Sequence, residues 1–120
     1  MKKQTLLICD DESGIRDALT LILEERYALV YAANGEEAVD LIRQQAVDLV
    51  IIDIKMPKMS GLDALKRMKW FRPELPILMI TGYESSETAT QATNLGVSGY
   101  IVKPFEKRQI QEQVEKLLKG

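Results

Sequence analysis

Leu49-Val50-Ile51-Ile52-Asp53 is an unbroken apolar run that ends in an acid. A continuous apolar stretch of this length is what a parallel strand covered on both faces requires, so Asp53 stands where a buried strand meets solvent. Upstream, Leu6-Leu7-Ile8-Cys9 is built the same way and ends in Asp10-Asp11. If both strands belong to one parallel sheet, three carboxylates gather at its C-terminal edge, where open α/β sheets hold their ligands.

Working outward from these two strands, apolar runs alternate with stretches of helical period, the pattern of successive βαβ units. The spacing predicts strands over 4–9, 28–32, 48–53, 76–80 and 98–102, and helices over 13–25, 35–45, 60–70, 84–95 and 106–118. Ile15, Leu19, Ile22 and Leu23 share one face of the first helix, and Ile110, Val114, Leu117 and Leu118 one face of the last. Strands 1, 3 and 4 are apolar throughout, whereas strands 2 and 5 are mixed and belong at the edges. Right-handed crossovers then leave a flavodoxin-like, doubly wound (βα)5 fold, with strand order 2-1-3-4-5 and helices on both faces. Its switch point falls between the two strands that end in acids. Asn34-Gly35, Ser60, the Pro73 and Pro76 pair and Gly96 punctuate the elements, and Lys103-Pro104 is the expected place for a cis peptide. Helix 4, with Thr88, Thr90 and Thr93 and an apolar face of Ala89, Ala92 and Leu95, is the weakest element.

A chain of 120 residues is expected to be one domain, 1–120, with a core that needs no disulfide or structural metal. A net charge of −2 gives no basic surplus for direct nucleic-acid binding, and no apolar run is long enough for a membrane span. Without a secretory signal, the expected compartment is the cytoplasm. Cys9, the only cysteine, reads as a small buried hydrophobe. There is no histidine, which excludes His-based acid–base chemistry and the usual closed zinc site.

The chemistry follows from the acids. Two carboxylates ~5 Å apart repel by roughly 3 kcal/mol at an effective dielectric of about 20, so a fold that gathers three needs a compensating cation. All-oxygen donors select Mg²⁺ or Mn²⁺, and a magnesium site with few carboxylates recruits phosphate oxygens. Strand 4 brings Thr81 to the same edge and strand 5 brings Lys103, a hydroxyl donor and an ammonium suited to a phosphoryl group. Taken singly, Asp10-Asp11 is a helix cap, Asp53 and Thr81-Gly82 are turns and Lys103 is a solvated charge. Their arrival at the same end of four strands is what those plainer readings fail to explain.

With these residues in view, the sequence resembles the receiver domain of bacterial two-component response regulators over essentially its whole length. The resemblance rests on Asp10-Asp11-Glu12, on Asp53-Ile54-Lys55-Met56-Pro57 with Ser60-Gly61, on Thr81-Gly82 and on Lys103-Pro104-Phe105. It implies that Asp53 accepts a phosphoryl group from a sensor histidine kinase or histidine phosphotransfer protein. It further implies that Asp11, Asp53 and the backbone carbonyl of Lys55 bind Mg²⁺, with Asp10 acting through water, and that Thr81 and Lys103 contact the phosphoryl group. Thr81 and Tyr100 would couple phosphorylation to the surface of helix 4, strand 5 and helix 5. Lys55 and Tyr83 would slow hydrolysis of the acyl phosphate, and Gly14, Ile15 and Ala18 would dock the partner. Self-catalysed phosphotransfer and dephosphorylation would be slow, as in a signalling domain and not an enzyme. The output would be a downstream target or a fused output domain, and the stretch from Glu87 to Phe105 is similar to receivers of nitrogen-regulator-type transcription factors.

Two other classes fit less well. A magnesium phosphohydrolase of the haloacid dehalogenase type needs a second acid two residues after its nucleophile, and that position is Lys55. A flavin module needs a phosphate loop after strand 1, where Asp10-Asp11-Glu12 would repel the phosphate.

Overall fold

The computed structural model describes residues 3–54, 56, 59–82 and 86–119. Ten elements alternate in strict succession: β1 (Thr5–Cys9), α1 (Ser13–Leu23), β2 (Ala28–Ala32), α2 (Gly35–Gln44), β3 (Leu49–Ile52), α3 (Gly61–Phe71), β4 (Ile77–Thr81), α4 (Ser86–Asn94), β5 (Gly99–Val102) and α5 (Lys107–Lys119). The strands form one parallel sheet in the order β2-β1-β3-β4-β5, as the apolar patterning requires.

Alternation along each strand sends successive side chains to opposite faces and builds two cores. Leu7, Cys9, Val50, Ile52, Ile77 and Met79 pack beneath α2, α3 and α4. Leu6, Ile8, Leu49, Ile51, Leu78 and Ile80 pack beneath α1 and α5, which bury Leu19, Leu23, Ile110 and Val114. Every residue of β3 and β4 is buried, whereas the edge strands β2 and β5 are mixed.

Register is what positions the acids. Cys9 pairs with Ile52, so Asp10 and Asp53 leave the sheet side by side, and the Asp53 N–H donates to the Cys9 carbonyl at 3.1 Å. Caps fix the helix starts nearby. The Asn34 side chain accepts from the Glu37 N–H at 3.0 Å while Glu37 Oε1 accepts from the Ala33 N–H, a reciprocal box; Ser60 Oγ accepts from the Asp63 N–H.

Strand and helix ends fall within one residue of expectation except at the end of α1 and the start of α4. α1 ends at Leu23 and not at residue 25, because the chain turns through 24–26 to bury Tyr27 before β2 begins. α4 is described over Ser86–Asn94, and the start expected for it at residue 84 lies outside the described residues; its C-terminal stop is Gly96, whose φ of +93° suits the left-handed conformation that ends a helix. The Lys103–Pro104 peptide is cis, at the expected place.

Candidate phosphoacceptor site

Three strand ends and the turn after a fourth meet at the C-terminal edge of the sheet. Asp10 is 3% exposed, Asp53 5% and Thr81 1%; Asp11 and Glu12 stand outside them in solvent. One carboxylate oxygen from each of Asp10, Asp11, Glu12 and Asp53 falls within 4.8 Å of all the others. Trans oxygens of an octahedral magnesium site lie about 4.2 Å apart, so the four donors, spread over up to 4.8 Å, lie a small side-chain shift from enclosing such an ion and have the hardness for it.

Lys103 lies just beyond β5, where its N–H donates to the Thr81 carbonyl at 2.7 Å. Its ammonium is 3.2 Å from Asp10 Oδ2, 3.2 Å from Asp53 Oδ2 and 3.5 Å from Glu12 Oε1. Burial would pull the Lys103 pKa down, but the charges of Asp10 and Asp53 and their hydrogen bonds win and hold it above the ordinary lysine value. Asp10 is pushed the other way from a comfortable acid: burial raises its pKa, and neither the Glu12 N–H at Oδ1 nor the Lys103 ammonium cancels that rise. Burial likewise pushes the Cys9 thiol up to about 12, so it is inert beside the site.

Of the residues expected here, Asp10, Asp11, Asp53, Thr81 and Lys103 come together. Lys55 and Tyr83 lie outside the described residues. Tyr100 is half-buried on β5 and packs against the core under α2–α4, paired in register with Met79. Gly14 is exposed at the start of α1, Ala18 is half-buried, and Ile15 packs partly into the core under α1 and α5. Two residues had no role assigned from sequence. Glu12 reaches back to Lys103, which its place after the aspartate pair could have suggested. Arg16, one turn into α1, donates a guanidinium N–H to the Asp10 carbonyl and braces the acidic turn; no spacing signal announces such a side-chain-to-backbone bond.

Gly61 closes the loop that carries Asp53. A Cβ there would lie 2.1 Å from the Asp53 carbonyl oxygen and 2.6 Å from Ile54 Cα, and the Gly61 N–H donates to the Ile54 carbonyl at 2.7 Å. Only glycine permits so close a pass.

Comparison with known proteins agrees with this geometry. The chain is similar to sporulation initiation phosphotransferase F of Bacillus subtilis (strain 168), 34% identical over 119 residues, which cover 98% of this chain and 96% of that protein. It is 34% identical over 113 residues to the transcriptional regulatory protein ZraR of Escherichia coli (strain K12), covering 94% of this chain but 26% of the regulator. Among solved structures, a response regulator receiver domain protein (CheY-like) from Methanospirillum hungatei JF-1 superposes with a TM-score of 0.95 at 34% identity, covering 98% of this chain and 95% of that one. The chemotaxis protein CheY4 of Vibrio cholerae does so at 0.91 and 28%, covering 96% and 98%. The model of the response regulator receiver domain matches residues 6–115, the span from β1 into α5 that builds the acidic edge, and the chain therefore belongs to that family.

Proposed function

We propose that Asp53 is the phosphoacceptor of this receiver domain. Receiver domains take their phosphoryl group from histidine kinases, and the chain has no histidine of its own to supply one. In the transfer, an Asp53 carboxylate oxygen forms a bond to phosphorus as the phosphorus–nitrogen bond of a phosphohistidine breaks, and the electron pair leaves with the imidazole nitrogen. The partner is a sensor histidine kinase or a histidine phosphotransfer protein, docking at Gly14, Ile15 and Ala18.

The buried Asp53 carboxylate, 3.2 Å from the Lys103 ammonium and one of four clustered acids, carries this reading. Lys103 neutralises charge on the phosphoryl oxygens, and the Thr81 hydroxyl donates to another of them. Family members bind a divalent metal at this acidic pocket; here Asp11, Asp53 and the Lys55 carbonyl would hold Mg²⁺, or Mn²⁺, with Asp10 acting through water. The ion supplies charge neutralisation that lets an anionic donor approach four carboxylates. Thr81 and Tyr100 then relay the change to the α4–β5–α5 surface, read by a downstream target or a fused output domain. Lys55 and Tyr83 lengthen the phosphoryl lifetime by impeding water. No helix among the described residues is long and apolar enough to cross a membrane.

Intact-protein mass spectrometry after incubation with acetyl phosphate and Mg²⁺ tests the assignment. One phosphoryl group should be added, none in Asp53→Asn, and none in the presence of chelator. Undiminished modification of the asparagine variant would falsify it.

A further inference from the structure

The outer surface of α2 and α3 carries a cleft that phosphoryl transfer does not use. Two close approaches fix how its walls lie. A Cβ on Gly35, at the start of α2, would stand 3.1 Å from Ala64 Cβ near the start of α3. At the far ends, the Arg43 guanidinium carbon sits 4.8 Å from the Phe71 ring centroid. The helices are thus parallel and in step, and charge is graded in the same sense along both. Acids come first and bases follow: Glu36 and Asp40 before Arg43 on α2, and Asp63 before Lys66 and Arg67 on α3. Among the described residues, none of these six exposed side chains forms an ion pair. At the basic end Trp70 is 83% exposed and Phe71 45%. Trp70 and Phe71 together present an aromatic surface beside these charges, the residue type enriched at interfaces.

We propose that a second copy of this chain docks here, its α2–α3 pair packing antiparallel to the first about a two-fold axis. The charge pattern selects that occupant. A two-fold axis perpendicular to the helices reverses the gradient, so the acidic end of each cleft meets the basic end of the other, and the same patch serves both copies. A uniformly acidic or basic partner would instead meet like charge at one end of the cleft. Each Trp70 is laid over the opposing cleft, in the role aromatic anchors fill at interface centres. Helices of this length span only about 16 Å, so the contact is small and the dimer weak, with a Kd on the order of 100 µM.

Trp70 is the only tryptophan in the chain, so its emission reports on this surface directly. Sedimentation equilibrium and tryptophan emission of the full chain, followed from about 10 µM to about 1 mM, should show dimer formation with a blue shift that tracks it. Trp70→Ala should weaken association about tenfold or more. So should the double reversal Arg43→Glu with Arg67→Glu, and separately Asp40→Lys with Asp63→Lys. An equimolar mixture of the two reversed proteins should regain association close to wild type, which damaged folding could not produce. A chain that stays monomeric at about 1 mM overturns the proposal and leaves the cleft to a different partner. Association indifferent to these substitutions, or no recovery in the mixture, overturns it equally.

Discussion

At the level of single residues, the site is organised around one ammonium shared by three acids. Lys103 bonds Asp10 and Asp53 equally at 3.2 Å and reaches Glu12 at 3.5 Å, so without a metal it is the main relief for their repulsion. That relief is incomplete at Asp10, whose pKa is raised by burial despite its partners. A carboxyl whose pKa is higher folded than unfolded costs stability when ionised, and the cost disappears as pH falls through the folded value toward the unfolded one. Asp10→Asn keeps an acceptor for the Glu12 N–H and removes the charge. In chelator at neutral pH this variant should therefore be more stable than wild type by about 1 kcal/mol, read as a higher urea midpoint. The gap should close as pH falls into the carboxylate range. Excess Mg²⁺ should narrow or reverse the gap, because the wild type, with Asp10 charged beside the ion, gains more binding energy than the variant. A wild type that is the more stable protein in chelator would sink this account of Asp10. Asp10, Asp11, Asp53, Thr81 and Lys103 were all legible because strand ends are legible; Arg16 was not, because its partner is a backbone carbonyl whose direction only the folded turn sets.

At the level of elements, the sequence patterns located every strand and helix because each segment's periodicity agrees with its burial. Interior strands came through most cleanly, since β3 and β4 bury every residue and leave no ambiguity of face. The end of α1 did not. Glu24, Glu25 and Arg26 are good helix formers, and only the need to place Tyr27 in the core, a tertiary demand, stops the helix early. Nor does sequence show how closely α3 begins against β3. With Gly61 Cβ space occupied at 2.1 Å by the Asp53 carbonyl, Gly61→Ala must displace the backbone that aims Asp53. We expect a loss of about 3 kcal/mol in denaturant unfolding. Phosphoryl uptake from acetyl phosphate should fall at least tenfold even at temperatures where the variant is fully folded. By contrast Gly14→Ala, inside α1 where an added Cβ meets nothing within 4 Å, should leave uptake from the small donor unchanged and raise stability by a few tenths of a kcal/mol to about 1 kcal/mol. If Gly61→Ala took up phosphoryl normally while folded, the close pass would not be what positions Asp53.

At the level of the whole molecule, the packed core and the proposed switch surface are spatially separated. The two cores meet at β1, β3 and β4, covered on both faces, while α4 buries only Ala92 among its described side chains and carries three threonines. Such a helix has little apolar area to resist local opening. It also follows directly on the strand that delivers Thr81, so the element cheapest to move is the one nearest the proposed relay. Native-state hydrogen exchange should rank the molecule accordingly. Amides of β1, β3 and β4 should exchange only through global unfolding, and those of α4 through openings lower by at least ~2 kcal/mol. Phosphorylation by acetyl phosphate with Mg²⁺ should then alter protection chiefly in α4, β5 and α5, with no change in Asp53→Asn. The central strands should show only the uniform gain expected of any ligand that stabilises the folded state. A phosphorylation response spread evenly over both faces of the sheet, or an α4 as protected as β3, would mean that the switch does not draw on the weakest packing in the fold.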